Sequence, residues 1–394
     1  MGPTAIDTTE RPVVLVWEVT QACELACDHC RADATPTRHP DELSTSEGEA
    51  LLDDAAAFGD GQLVVLSGGD PLARPDLDHL VSYGTERGLR MTLTPSGTDS
   101  LTADRVRALA DAGLSRMALS LDGATPASHD AFRGETGSFE ATLRAARYAE
   151  AAGVPLQINT TVCAETVDEL PAIRRLVGAL DAVMWSVFFL VPIGRGRRLD
   201  QLSPARAERT MRWIDDVRED ASFAVKTTEA PQYRRVVAQQ RRDAVDDPAA
   251  GDVDGGDGSD AGGGPPASVA GRRGGIRAGA GFAFVSHVGD VYPSGFLPES
   301  AGNVRTDSVV ECYRESDLFE SLRDPDGFRG KCGSCEYRRL CGGSRSRAYA
   351  ATGDPLASDP LCPYVPADWD GAMPEPTGAS GDTTVPGGTG TSGD

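Results

Sequence analysis

Val13 to Cys30 reads VVLVWEVTQACELACDHC, an apolar β-branched run that passes directly into three closely spaced thiols. The run has the composition of a buried strand. Cys23, Cys27 and Cys30 follow with the spacing C-x3-C-x2-C, so one tight loop can aim three thiolates at a single metal centre. Iron–sulfur clusters take four cysteine ligands, and three from one loop leave one iron without a protein ligand. An open coordination position is where metal sites do chemistry, whereas closed sets are structural. Zinc, with His29 or His39 as fourth ligand, is the competing reading of the same thiols. It accounts neither for the SGGDP turn that follows nor for the repeating pattern around it.

Working outward, five further apolar runs resemble the first: LVVLSGG from Leu63, LRMTLTPSG from Leu89, RMALSLDG from Arg116, PLQINTTV from Pro155 and AVMWSVFFLVP from Ala182. Amphipathic segments separate them. Ser44 with Glu47 forms a capping-box pattern, Thr102 caps a second helix, and a helix is expected from Pro204 to Glu219. Strands alternating with helices predict an α/β fold with a parallel sheet. Six βα repeats predict a partial (β/α)6 TIM-type barrel, short of the eight of a closed one. The strands end in SGGD, TPSG, SLDG and NTT, and in such folds the site is built at those C-terminal ends.

The C-x3-C-x2-C loop after the first strand, followed by SGGDP after the second, resembles the radical S-adenosylmethionine superfamily. The resemblance implies that Cys23, Cys27 and Cys30 hold a [4Fe-4S] cluster whose open iron binds S-adenosyl-L-methionine. It implies that Gly68, Gly69 and Asp70 stand for the family's Gly-Gly-Glu contact to the methionyl amine, with Asp70 replacing the commoner Glu. His29 occupies a position that is usually aromatic. Ser96, Ser120, Asp122 and Asn159 fall where family members contact the ribose and carboxylate. The implied activity is reductive cleavage of the cofactor to a 5′-deoxyadenosyl radical, which abstracts hydrogen from a substrate. No catalytic base beyond the cluster is required, and none of the familiar hydrolase triads is present.

A second set, Cys332, Cys335, Cys341 and Cys362, is spaced C-x2-C-x5-C-x20-C. Four thiols complete a ligand set for either an iron–sulfur cluster or zinc. The segment resembles a SPASM or twitch extension, which implies one auxiliary cluster, [4Fe-4S] in type. Cys163 and Cys312 are left over and read as small buried hydrophobes. GFAFVSHVGDVYPSGF, ahead of this segment, reads as a hairpin.

The expected organisation is therefore a flexible N-terminus at 1–12, the partial barrel at 13–225, and a connecting segment at 226–281. A SPASM/twitch-like iron–sulfur module at 282–366 and a disordered tail at 367–394 follow. Gly, Asp, Ser and Pro dominate the connecting segment, too little apolar surface to offset the entropy of ordering.

The 394 residues carry a formal charge of −22, with 60 acidic side chains against 38 basic ones, of which only Lys226 and Lys331 are lysines. Such a surface excludes nucleic acid as a partner and suits high salt, which screens self-repulsion. No long apolar run spans a membrane and no signal peptide opens the chain, so the cytoplasm is the expected location. PIGRGRRLD places Arg195, Arg197 and Arg198 beyond the sixth strand, as candidate ligands for substrate carboxylates. The thiol sets are similar to those of radical enzymes of heme d1 and alternative heme synthesis, which implies a tetrapyrrole or other cofactor precursor as substrate. A peptide substrate, as for SPASM maturases, is the alternative, and a non-catalytic iron–sulfur electron-transfer or scaffold protein is the reading from another class. An external ferredoxin or flavodoxin is the implied electron donor.

Overall fold

The computed structural model describes residues 6–246 and 276–371. The Gly/Asp-rich part of the connecting segment and most of the C-terminal tail lie outside the described residues.

All six expected strands form: β1 (Val14–Glu18), β2 (Leu63–Ser67), β3 (Arg90–Leu93), β4 (Arg116–Ser120), β5 (Leu156–Val162) and β6 (Met184–Phe189). Each pairs in parallel with the next. Helices between them cover one face of the sheet, and the residues pointing there alternate with those pointing into the barrel. On β1, Leu15 and Trp17 are fully buried on the helix side, and Val14, Val16 and Glu18 take the concave side. Gly48, in the helix Thr45–Ala56, makes that packing possible. A Cβ there would stand 2.5 Å from the Trp17 ring. The capping box at Ser44 and Glu47 opens this helix, Thr102 caps the helix Ala103–Asp111, and the helix expected from Pro204 runs Pro204–Asp220.

The sheet extends beyond the six strands at both ends. β7 (Ala224–Thr228) pairs in parallel with β6, and the helix Gln232–Asp246 follows it, where the sequence suggested a connecting segment from residue 226. At the other end lie β8 (Arg277–Ala278), β9 (Gly281–Val285) and β10 (Val291–Tyr292). β9 and β10 form the expected antiparallel hairpin, yet β9 also pairs in parallel with β1. The hairpin is thus continuous with the barrel sheet rather than confined to the C-terminal module. The strand order is β10-β9-β1-β2-β3-β4-β5-β6-β7, with β8 beside β9, an open curved sheet whose edges do not meet.

Candidate functional site

The loop after β1 brings the three thiols together. Cys23, Leu25 and Cys27 form one buried cluster, with Cys30 and Ala34 packed against it. The loop is pinned by its backbone: Cys23 N–H donates to Thr35 O at 2.7 Å, and Asp28 N–H donates to Phe132 O at 3.1 Å. His29 stacks on Phe132 with ring centroids 4.7 Å apart, the role an aromatic residue would play. Burial raises the Cys23 thiol and pushes Cys27 up to about 11, so both stay protonated until a metal centre takes their protons. Arg133, 7% exposed, lies close enough to stabilise both thiolates electrostatically.

The turn after β2 seats against this loop. Gly69 N–H donates to Thr20 O at 2.8 Å and Asp70 N–H to Ala22 O at 2.6 Å. A Cβ on Gly68 would come within 2.4 Å of Thr20 O, and one on Gly69 within 2.3 Å of Ala22 O. Two glycines are therefore required by close approach of two backbones. The Asp70 carboxylate accepts from Leu72 N–H at 3.1 Å, Ser96 N–H at 3.3 Å and the Thr98 hydroxyl at 3.3 Å. Burial pushes its pKa up to about 6. Ser96 Oγ in turn stands 3.5 Å from Cys23 Sγ and donates to Gly69 O at 3.4 Å. The first three strand ends are thus one connected unit.

Further round the sheet, Ser120 pairs in register with Asn159, Asn159 with Ser186, and Ser186 with Lys226. The four share the concave face, because Leu119, Ile158, Trp185 and Val187 between them are fully buried in the helix-side core. Asp122, 2% exposed, faces Arg133 NH1 at 3.3 Å and accepts from Thr161 N–H at 2.7 Å. Burial works against its charge, and His29, Arg133 and that N–H hold it below the usual carboxylate range.

In the C-terminal module, Cys332, Cys335, Cys341 and Cys362 line one cavity together with Arg235 and Tyr364. Asp359 N–H and Arg345 NH2 point at Cys332 Sγ from 3.4 and 3.5 Å, and Gly343 N–H points at Cys341 Sγ from 3.4 Å. Such donors suit thiolates bound to metal. Burial pushes Cys341 up to about 12 and Cys362 up to about 11, again leaving neutral thiols unless a metal centre displaces the protons.

Residues 17–177 match the Radical SAM superfamily. The chain is 41% identical to the AdoMet-dependent heme synthase of Methanosarcina barkeri (strain Fusaro / DSM 804), over 92% of this chain and 99% of that protein. The chain belongs to the radical SAM superfamily. It is also 31% identical to a PqqA peptide cyclase of Rhizobium meliloti (strain 1021), over 90% of this chain and 87% of that one. The fold is that of Streptococcus suis SuiB bound to S-adenosylmethionine, with a TM-score of 0.68 at 17% identity, covering 90% of this chain and 78% of SuiB.

As a radical SAM enzyme the protein uses a [4Fe-4S] cluster and S-adenosylmethionine. The three-thiol loop fits the cluster, for its sulfurs are contiguous, nearly buried and faced by the Arg133 guanidinium.

The structure gives Arg195 and Asp70 partners that the sequence did not show. Arg195 is not a free substrate ligand: its Nε donates to Cys27 O at 2.8 Å, its NH1 to Ala34 O at 3.1 Å, and its backbone N–H to Cys30 O at 3.0 Å. It clamps the cysteine loop from the far side of the barrel. Arg197 and Arg198 remain exposed. The Asp70 carboxylate ties the turn to the β3 exit through the three hydrogen bonds it accepts.

Sequence reasoning also passed over a cluster on the β1–β9 side. Glu18, at the end of β1, is paired to Arg31 and accepts a hydrogen bond from His287 Nδ1 at 2.6 Å. Against the cost of burial, Arg31 and His287 hold Glu18 below the usual carboxylate range. Arg31 also lies over the Phe284 ring at 4.6 Å. Its position right after Cys30 was the available signal, but the partner from β9 was not.

Cys163 is fully buried beside Phe132 and Leu190, and Cys312 is buried in the main core, as small hydrophobes would be. Among the described residues no helix is long and apolar enough to cross a membrane.

Proposed function

We propose that this radical SAM enzyme acts on propionate side chains of an iron-bearing tetrapyrrole in heme formation. The observation that carries the reading is the 41% identity to a heme synthase along almost that protein's entire length, which takes in barrel and C-terminal module alike. A precursor peptide is the second reading, favoured by the 31% identity to a peptide cyclase.

In this reading Cys23, Cys27 and Cys30 are the ligands of the reactive cluster. When bound, the reduced cluster and S-adenosylmethionine supply a 5′-deoxyadenosyl radical that takes a hydrogen atom from the substrate. The chain's own residues position. The Gly68–Asp70 turn offers backbone atoms to the methionyl end of the cofactor, Ser96 braces Cys23, and Ser120 and Asn159 face the ribose and carboxylate from the concave side. Asp122, neutralised by Arg133, orders the loop beneath them. Arg197 and Arg198, exposed beyond β6, are available to the carboxylates of an arriving substrate.

Cys332, Cys335, Cys341 and Cys362 hold an auxiliary iron–sulfur cluster. Four thiols round one cavity with amide donors at their sulfurs support this reading. A cytoplasmic ferredoxin or flavodoxin supplies the electron, and the charge of −22 adapts the surface to concentrated salt.

The test is incubation of the reconstituted, reduced protein with iron-coproporphyrin and S-adenosylmethionine. With a one-electron acceptor present, the expected result is 5′-deoxyadenosine together with a porphyrin lighter by one carbon dioxide and a pair of hydrogens for each side chain converted, one hydrogen leaving in the deoxyadenosine and the other as a proton with its electron passed to the acceptor. Deoxyadenosine with no change in porphyrin mass would contradict the tetrapyrrole reading.

A further inference from the structure

Lys226 is one of two lysines in a chain that otherwise uses arginine for its positive charge. It is the third residue of β7, and register puts it in the row Ser120, Asn159, Ser186, Lys226 across the concave face. Among the described residues its ammonium makes no hydrogen bond and no ion pair. The charge that acts on it most is another cation, Arg116, from the first position of β4. Arg116 also lacks a carboxylate: its Nε has no partner and its NH1 faces Met184 Sδ at 3.7 Å. Burial, and then Arg116, pulls Lys226 down to about 8, so it is still largely protonated at neutral pH.

Among the described residues, four other buried arginines are matched with carboxylates, whereas Arg277 lies over the Phe328 ring and Arg345 donates to backbone carbonyls. Arg74 has Asp76, Arg133 has Asp122, Arg235 has Glu208 and Arg347 has Asp359. Two desolvated cations that repel each other with no carboxylate partner are costly, and an apolar side chain of similar length at either position would be more stable. The cost is removed when a ligand brings a negative charge to the lumen. The ligand chemistry that suits an ammonium backed by a guanidinium is a carboxylate on a flexible arm, small enough to enter beside the strand-end row.

We infer that Lys226, with Arg116 behind it, binds a carboxylate of the substrate on the concave face of the barrel. The inference rests on the reading of the substrate as a propionate-bearing tetrapyrrole, and it places the bound side chain at the same level as Ser120 and Asn159. The carboxylate of S-adenosylmethionine is the competing occupant.

Two measurements on the holoenzyme decide it. In steady-state turnover, Lys226→Met raises KM for iron-coproporphyrin by at least about tenfold, the loss expected for one charge-assisted hydrogen bond. Lys226→Arg restores most of it. An unchanged KM for the porphyrin, or a rise confined to the KM for S-adenosylmethionine, overturns the inference. The second measurement needs no turnover. Reductive methylation with 13C-formaldehyde labels both lysines with their charge retained, and the Lys226 signal is assigned by its loss in Lys226→Met. Metal-free coproporphyrin shifts that signal and its methyl ester does not; no shift overturns the inference. A shift without turnover by the unmodified enzyme would keep the carboxylate site and reject the proposed reaction instead.

Discussion

Cys27→Ala abolishes cleavage of S-adenosylmethionine by the reduced protein and leaves about half of the iron in place, the share expected for a second four-iron cluster. Cys27 is the middle thiol of the loop, 7% exposed, and its carbonyl is the one that Arg195 grips from across the barrel. Removing its sulfur leaves two ligands on a cluster that already has only three, so the cluster is lost rather than altered. The four thiols at Cys332 to Cys362 sit in a separate cavity with their own amide donors and keep their iron. Cys163→Ala is the control, because that thiol packs against Phe132 and Leu190 and belongs to neither thiol set. It should leave both iron content and cleavage unchanged. Iron assay and deoxyadenosine production read both outcomes.

The second large effect is on stability. Arg347 is fully buried between the barrel and the C-terminal module. Its guanidinium donates to Phe189 O at 3.3 Å, Leu190 O at 3.2 Å and Glu229 O at 2.8 Å, all at the ends of β6 and β7. Its other nitrogen pairs at 3.2 Å with Asp359, itself fully buried. Asp359 also accepts from Ser344 N–H at 2.7 Å, and its own N–H points at Cys332 Sγ. One arginine therefore joins the strand ends to a residue that touches an auxiliary thiol. Arg347→Met leaves Asp359 charged, buried and without its cation, a loss of about 3–5 kcal/mol. Denaturant unfolding of the holoprotein should show a drop of that size, with earlier release of iron from the four-thiol site. Adding Asp359→Asn to Arg347→Met removes the stranded charge and recovers part of the loss. Equal stability of the single and double variants would show that the pair is not what joins the two parts.

How much of this was readable from the chain depends on distance along it. The three thiols and the Gly68–Gly69 turn were legible because each is a local pattern: spacing sets which sulfurs converge, and two adjacent glycines after a strand announce a close backbone approach. The six strands were legible for the same reason, as β-branched runs bounded by polar ends. What escaped depends on register and on partners far away. The β9–β10 hairpin looks the same locally whether or not β9 pairs with β1, and it does. Arg195 lies in a loop of three arginines, and nothing in GRGRR says that this one reaches back 168 residues to Cys27. Lys226 falls one residue beyond the expected end of the barrel, so its place beside Ser186 becomes visible only once β7 is paired. Arg347 and Asp359 sat in a stretch read for its cysteines, and their burial could not be seen from neighbours in sequence.

The account turns on one contrast, a three-thiol site with an open iron and a four-thiol site without one. Electron paramagnetic resonance of two reduced variants tests it most directly, one lacking Cys332, Cys335, Cys341 and Cys362, the other lacking Cys23, Cys27 and Cys30. S-adenosylmethionine should change the spectrum of the first and leave that of the second untouched. A response in the second variant, or none in the first, would contradict the assignment of the reactive site to the loop after β1.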